Sequence, residues 1–105
     1  MNQRSGRVKV AKRQSKKRQA EQYEEQIKQA VTILDRVSED NTTPRNIRRA
    51  AKQAIESLQY LEHTPAIRAA NAISTLDDIS QDPNMPPYTR VVLWQAVSIL
   101  ETIKD

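Results

Sequence analysis

Thr43-Pro44-Arg45-Asn46-Ile47-Arg48-Arg49-Ala50-Ala51 is the stretch that decides the fold. A hydroxyl residue followed by proline is typical of a helix start, because the hydroxyl can cap the first turn and proline lacks only an N–H that has no partner there. Thr64-Pro65 repeats this start 21 residues later, and Pro86-Pro87 provides a third, with Asn84 or Met85 as its expected cap. Three helices are therefore expected to begin at these prolines.

Apolar residues recur at spacings of three and four after each of these prolines and also upstream of them, which is typical of helices with one buried face. The pattern predicts helices over residues 19–38, 44–62, 65–80 and 86–104. Short loops favour antiparallel neighbours, so the predicted fold is all-α, an antiparallel four-helix bundle. The predicted core consists of Ile27, Leu34, Ile47, Ala54, Leu58, Ala69, Ile73, Leu76, Ala96 and Leu100.

An arginine follows each helix-starting proline by three or four residues, at Arg48, Arg68 and Arg90. This spacing indicates a degenerate repeat of one helix per unit. A coincidence among proline-led helices of similar length explains the spacing equally well.

The charge is distributed unevenly along the chain. Residues 1–20 hold eight cations and no acid, for a net charge of +8, whereas residues 21–105 carry nine cations and thirteen acids, for −4. Residues 1–18 are therefore predicted to be a basic, extended arm, although residues 11–20 contain no helix breaker. The helical bundle is assigned to residues 19–105. An acid-free arm of this kind is typical of a segment that follows nucleic-acid phosphates.

A second set of cations lies on the second predicted helix, within an arc of about 100° opposite its apolar face. We call Arg45, Arg48, Arg49 and Lys52 the basic stripe. Its alternative interpretation is a solvated face neutralised by acids such as Glu56. If the protein binds RNA, the basic stripe should lie on the same side of the body as the exit of the arm near Gln19. The predicted RNA-binding residues are Arg4, Arg7, Lys9, Lys12, Arg13, Lys16, Lys17, Arg18, Arg45, Arg48, Arg49 and Lys52.

The fourth predicted helix is apolar around nearly its whole circumference. Such a helix is either enclosed by the core or turns one side toward a partner. Val91 and Trp94 are the candidate protein-contact residues, and simple core packing is the alternative.

Several classes of function are excluded or disfavoured by composition. The absence of cysteine excludes disulfides and thiolate metal sites, and a single glycine, Gly6, excludes glycine-rich phosphate loops. His63 lies at a helix end, and the acids around Asp78 lack the EF-hand spacing. We therefore expect no enzyme activity, metal, cofactor or small-molecule substrate. The longest apolar run has four residues, Val91–Trp94, so we expect a cytoplasmic protein without a membrane span.

Three segments resemble a known family of small, all-helical archaeal proteins that is uncharacterised and has no assigned activity. They are Thr43 to Ala51, Pro65-Ala66-Ile67-Arg68-Ala69-Ala70-Asn71-Ala72-Ile73, and Asp82-Pro83-Asn84-Met85-Pro86. The resemblance covers residues 24–105 and implies a compact four-helix body in an archaeal cytoplasm. It supplies no catalytic residues, and the arm is an addition to the body of the family.

The leading functional prediction is a non-enzymatic RNA-binding protein of the ribosome, or one associated with it, whose arm follows rRNA phosphates. Its partners would be structured RNA and neighbouring ribosomal proteins. The alternative is a protein-interaction or scaffold module that assembles through the fourth helix. DNA binding is a weaker third hypothesis, because no helix carries a clear base-reading set.

Overall fold

The computed structural model describes the backbone of residues 2–104 and the side chains of residues 17–104. The chain forms four helices: α1 (Asn2–Glu39), α2 (Arg45–Leu58), α3 (Pro65–Ile79) and α4 (Pro87–Leu100). No strand occurs within residues 2–104. The prediction of an all-α fold is confirmed.

Successive helices run in opposite directions. The first turn of α3 meets the last residue of α2, where Arg68 Nε donates to the Leu58 carbonyl over 2.7 Å. At the other end of this pair, the Asn46 side chain donates to the Asp82 carboxylate. The fourth helix returns along α1, since Gln26 donates to the Thr102 hydroxyl, just beyond the end of α4, over 2.8 Å. The helices therefore form an up-down-up-down bundle.

The core lies where the apolar faces of the four helices meet. Nine of the ten predicted core residues are buried, and Ile73 is half-buried against them. The largest side chains with less than 2 % exposure come from every helix. They are Leu34, Ile47, Leu58, Leu76, Leu93 and Leu100.

The first helix is longer than predicted. Its backbone is helical from Asn2, so it continues through the segment predicted to be an extended arm. Residues 2–20 contain no proline and a single glycine, Gly6, so the sequence carries little to stop a helix there. Because the structure describes side chains only from residue 17, the interactions predicted for the side chains of residues 1–16 lie outside the described residues.

The second helix is shorter than predicted and ends at Leu58 instead of residue 62. A longer helix would place the N–H of Glu62 on the Leu58 carbonyl. Arg68 Nε occupies that carbonyl instead, and the chain turns, with the N–H of His63 donating to the Tyr60 carbonyl over 3.2 Å. Leu61 lies beyond this helix end and is 79 % exposed.

The helix caps agree with the prediction at one start and differ at two. Thr64 caps α3, and its hydroxyl accepts from the N–H of Ile67 at 3.4 Å. The expected Thr43 cap is wrong: α2 begins one residue later, at Arg45, and the Thr43 N–H donates to the Asp40 carbonyl over 3.0 Å. Neither candidate cap of α4 is correct, because Pro86 occupies that position and Met85 is buried in the core.

Candidate nucleic-acid interface

Two of the three first-turn arginines fasten the start of their helix to the end of the helix before it. Arg68, on α3, donates to the carbonyl of Leu58, the last residue of α2. Arg90, on α4, donates to the carbonyl of Ser80, the residue that directly follows the end of α3. It also donates to the carbonyl of Asp82 at 3.5 Å. Carbonyls at a helix end lack intrahelical partners, so both guanidinium groups satisfy acceptors that the helix leaves open.

Arg68 is the more deeply placed of the two, with an exposed fraction of 4 %. One of its terminal nitrogens lies 2.9 and 3.2 Å from the two carboxylate oxygens of Glu24 on α1. This is the only ion pair among the side chains of residues 17–104. Arg68 therefore connects α1, α2 and α3 and has no donor left for an outside ligand on its Nε.

Arg48, the third first-turn arginine, has a different environment. It lines a cleft of about 310 Å³ between the end of α1 and the start of α2, together with Ser38, Arg45, Arg49 and Lys52. Its Nε is buried and has no hydrogen-bond partner among the described residues. The Ser38 hydroxyl donates to the Asp35 carbonyl over 2.9 Å, so its hydrogen is already used. The donors available in this cleft are therefore the cationic groups of the basic stripe.

The positive charge of Arg48 interacts with the carboxylate of Asp40. Its pKa is lowered from the ordinary value, chiefly by hydrogen bonds from the Thr42 hydroxyl at 2.6 Å and the Thr42 N–H at 2.9 Å. The positive charge of Arg48 makes a smaller contribution in the same direction. Asp40 is not among the residues that line the cleft, so the lining itself carries four cations and no acid.

The basic stripe is not neutralised by ion pairs within the described part of the chain, residues 17–104. Arg45, Arg49 and Lys52 are exposed, whereas Arg48 is half-buried. The stripe lies beside Ser38, which is 19 residues beyond Gln19 on α1. At 1.5 Å per residue this is about 28 Å along the helix axis, so the stripe lies near the opposite end of the body from the predicted exit of the arm. The expectation that the stripe and the exit of the arm lie together is therefore not met.

The structure describes the side chains of two of the eight predicted arm cations. Lys17 and Arg18 are exposed on α1. The other six predicted contacts, Arg4, Arg7, Lys9, Lys12, Arg13 and Lys16, lie outside the described side chains.

The outer face of α4 carries an apolar patch. Tyr88, Val91 and Trp94 are 76 %, 55 % and 70 % exposed, and they follow one another at intervals of three residues. The opposite face supplies Leu93 and Leu100 to the core. The two candidate protein-contact residues are thus at the surface, and the alternative of core packing for Trp94 is wrong.

Two features of the interface were not predicted from the sequence. Ser38 lines the cleft, but nothing in its own sequence neighbourhood indicates this. The different environments of Arg48, Arg68 and Arg90 were also not predicted, although their equivalent spacing after proline was a signal that they share a position.

Within the described residues, no group of three or more His, Cys, Asp or Glu side chains could hold a metal ion. No helix in the same part of the chain combines the length and apolar character needed to cross a bilayer.

Comparison with known proteins shows relatives that span the bundle. A protein of Saccharolobus solfataricus is 60 % identical over 82 residues, which are 78 % of this chain and 92 % of the relative. A protein of Pyrococcus furiosus is 54 % identical over 82 residues, 77 % of this chain and 88 % of the relative. Both are described as UPF0147 proteins.

Solved structures show the same fold. A crystal structure of a protein from Thermoplasma acidophilum, assigned to the same uncharacterised family, has a TM-score of 0.74 at 29 % identity and covers 83 % of this chain and 99 % of that one. A second crystal structure, of a protein of unknown function, also has a TM-score of 0.74, with 49 % identity over 76 % of this chain and 91 % of that one.

The match to the family model covers most of the molecule. It extends over residues 14–103, so it includes all of α2, α3 and α4, the basic stripe, and the last cations of the arm. The first five predicted arm contacts, up to Arg13, precede it. The chain belongs to the uncharacterised protein family UPF0147.

Proposed function

We propose that this protein is a non-enzymatic, cytoplasmic RNA-binding protein, a component or close associate of the ribosome. The observation that carries the proposal is the separation of charge: a net +8 over residues 1–20 joined to a body of net −4. Lysine and arginine that neutralise RNA phosphates release condensed counterions, which is the main sequence-independent source of affinity for a polyanion. The acidic balance of the body directs this attraction to one end of the chain.

The basic stripe is a second candidate RNA contact, at the opposite end of the body from the exit of the arm. Its four cations form no ion pair with the described acids, so their charge is available to a ligand. The stripe and the residue-19 end of the arm are separated by about 28 Å along α1. An RNA that meets both would have to extend along the bundle, as the folded backbone of a large RNA can.

The mode of binding that we propose depends on shape and charge. Residues 1–20 contain no aromatic side chain, so the arm offers no platform on which bases could stack. Folded RNA presents narrow, phosphate-lined grooves that cationic side chains can enter without reading the base sequence. This favours a structured RNA over a single-stranded one.

Salt dependence of binding tests the proposal. Affinity for purified archaeal 16S and 23S rRNA should fall with salt on a log–log slope of about −4 to −7, as expected for five to eight neutralised phosphates. A variant with residues 2–18 deleted should lose co-sedimentation with ribosomal particles. A full-length variant with all eight arm cations changed to Gln should behave like the deletion, and one with the same arm residues in shuffled order should still bind.

Contributions of the stripe are measured separately. The double variant Arg48→Glu, Arg49→Glu should bind more weakly to all RNAs alike and should flatten the slope by about one to two. Co-sedimentation of the deletion variant at the level of the full chain would refute the proposal. An unchanged slope in the double variant would confine RNA contact to the arm.

A second candidate function is protein assembly through α4, and the exposed patch of Tyr88, Val91 and Trp94 favours it. Contiguous apolar side chains at a surface are typical of protein contacts. In this hypothesis the occupant is a second copy of the chain and the arm is a nonspecific anchor. The mass of the nucleic-acid-free protein by analytical ultracentrifugation distinguishes the two: a dimer that Trp94→Ala converts to a monomer supports assembly, and a monomer at all concentrations excludes it.

A further inference from the structure

We propose that the cleft between the end of α1 and the start of α2 binds a single phosphodiester group of the RNA backbone, with the terminal nitrogens of the Arg48 guanidinium among its hydrogen-bond donors. The inference deepens the proposed function and rests on it. It assigns to one cleft and one side chain a contact that the charge pattern alone spreads over four cations.

The first argument comes from the three equivalent arginines. Each lies in the first turn of its helix, and the guanidinium groups of Arg68 and Arg90 each donate to a carbonyl at the end of the preceding helix. Arg48 occupies the same place in α2, but its buried Nε has no partner within the described residues. Arg48 also forms no ion pair within the described residues, so its guanidinium, unlike the other two, is not held by a neighbouring helix and can contact a ligand.

The second argument is electrostatic. The lining of the cleft carries the charges of Arg45, Arg48, Arg49 and Lys52 and no carboxylate. The first turn of α2 also contains no acidic residue, although the positive end of a helix dipole ordinarily favours one there. An anion in the cleft would relieve the repulsion among the cations and complement the helix end at the same time.

The third argument is size and chemistry. The volume of about 310 Å³ is some ten times the share of one water molecule in the liquid, so the cleft has room for a polyatomic anion. A guanidinium forms directed, charge-assisted bonds to the paired oxygens of a phosphate. Ser38 can only accept in its present hydrogen bond, so the neighbouring cations supply the remaining donors. A phosphodiester is the anion that the arm already implies.

Two measurements on the full chain test the site. The first is an NMR titration of the arginine Nε–H resonances with inorganic phosphate, at constant ionic strength set by chloride. The Arg48 resonance should shift and saturate, whereas that of Arg68, bonded to Leu58, should stay in place. The second is the affinity for 16S and 23S rRNA of Arg48→Gln and of Lys28→Gln, which removes the same charge from an exposed site on α1 that is ten residues before Ser38.

We expect Arg48→Gln to weaken RNA binding about tenfold, and Lys28→Gln to weaken it about twofold or less. Arg48→Lys should not restore affinity, because a lysine keeps the charge but lacks the planar donors of a guanidinium. The melting temperature of Arg48→Gln should match that of the wild type. The loss of RNA affinity would then not result from a loss of fold.

The other outcomes overturn distinct parts of the argument. If the wild type binds rRNA and Arg48→Gln behaves like Lys28→Gln, this site is wrong and the proposed function stands. If Arg48 titrates with inorganic phosphate but the wild type does not bind rRNA, the proposed function and the phosphodiester assignment both fail, and the cleft is a site for a small phosphate ligand. A failure of the Arg48 resonance to saturate overturns the site whatever the RNA result.

Discussion

Leu76 on α3 is one of the largest fully buried side chains, with 0 % exposure, so its removal should open a cavity that the four helices cannot fill. We expect Leu76→Ala to lower the free energy of unfolding by about 2–5 kcal/mol. Urea denaturation followed by circular dichroism measures this change. Leu61→Ala is the control, because Leu61 is 79 % exposed and its truncation should cost less than about 0.5 kcal/mol. Equal costs at the two positions would contradict the arrangement of the core.

Asp40 should make stability depend on pH in one direction. Its pKa is lowered in the folded state, mainly by the hydrogen bonds from Thr42, so the ionised form favours folding. The contribution is fully present above the ordinary carboxyl pKa of about 4 and is lost as the pH falls through the folded pKa. The difference in stability between the wild type and Asp40→Asn should therefore be constant at neutral pH and shrink in acid. A difference that grows below pH 4 would contradict this assignment.

Among the elements, the junction of α2 with α3 depends on Arg68. Arg68→Ala removes the donor to the Leu58 carbonyl and the partner of Glu24, and we expect it to cost about 2–3 kcal/mol in chemical denaturation. Glu24 is half-exposed, so Glu24→Gln should cost less than about 1 kcal/mol. If the two variants cost the same, the salt bridge dominates over the carbonyl contact and the account of why α2 ends at Leu58 is wrong.

The fourth helix has one face in the core and one at the surface, at adjacent residues. Leu93 is 1 % exposed and Trp94 is 70 % exposed. Leu93→Ala should therefore destabilise by about 2–5 kcal/mol, whereas Trp94→Ala should change stability by less than about 1 kcal/mol. Differential scanning calorimetry of the two variants checks the assignment. A large loss from Trp94→Ala alone would place the indole against the bundle.

At the scale of the whole molecule, the arm should be dispensable for the stability of the bundle. The core side chains described by the structure begin at Ile27, with Tyr23 packed against them, so deleting residues 2–18 removes none of them. We expect the melting temperature of the deletion variant to stay within about 2 °C of the wild type, since about 1 kcal/mol moves it by 4–8 °C in a domain of this size. A larger decrease would show that the arm packs on the bundle.

The features predicted correctly from sequence are those that depend on local signals. Proline at a helix start and apolar residues at intervals of three and four are properties of a short segment, and they placed four helices and nine of ten core residues. The end of α2 was predicted wrongly because it depends on Arg68, a residue ten positions away from Leu58 that reaches its carbonyl only in the folded bundle.

The candidate site was likewise predicted in part: the stripe could be inferred from local sequence, and the cleft could not. The basic stripe was visible in sequence, because four cations on one arc of a helix are set by helical spacing alone. The cleft was not visible, because it requires Ser38 from a different helix and an Nε that packing has hidden from solvent. Arg48, Arg68 and Arg90 have the same spacing after proline, so the sequence could not show that Arg48 differs from the other two. The difference depends on which helix end each arginine meets in the folded bundle.

The contact between Gln26 and Thr102 has a consequence for how the chain reaches its native state. These two side chains are 76 residues apart in sequence, whereas α2 and α3 meet through residues as few as ten apart. The entropy lost on closing a loop rises with its length, and non-local pairing slows folding. The hairpin of α2 and α3 can therefore form early and fast, and the closure of α4 onto α1 is the slow, late step. During that interval α4 has both its inner and its outer apolar faces in water, so it is the element of the nascent chain at greatest risk of aggregation.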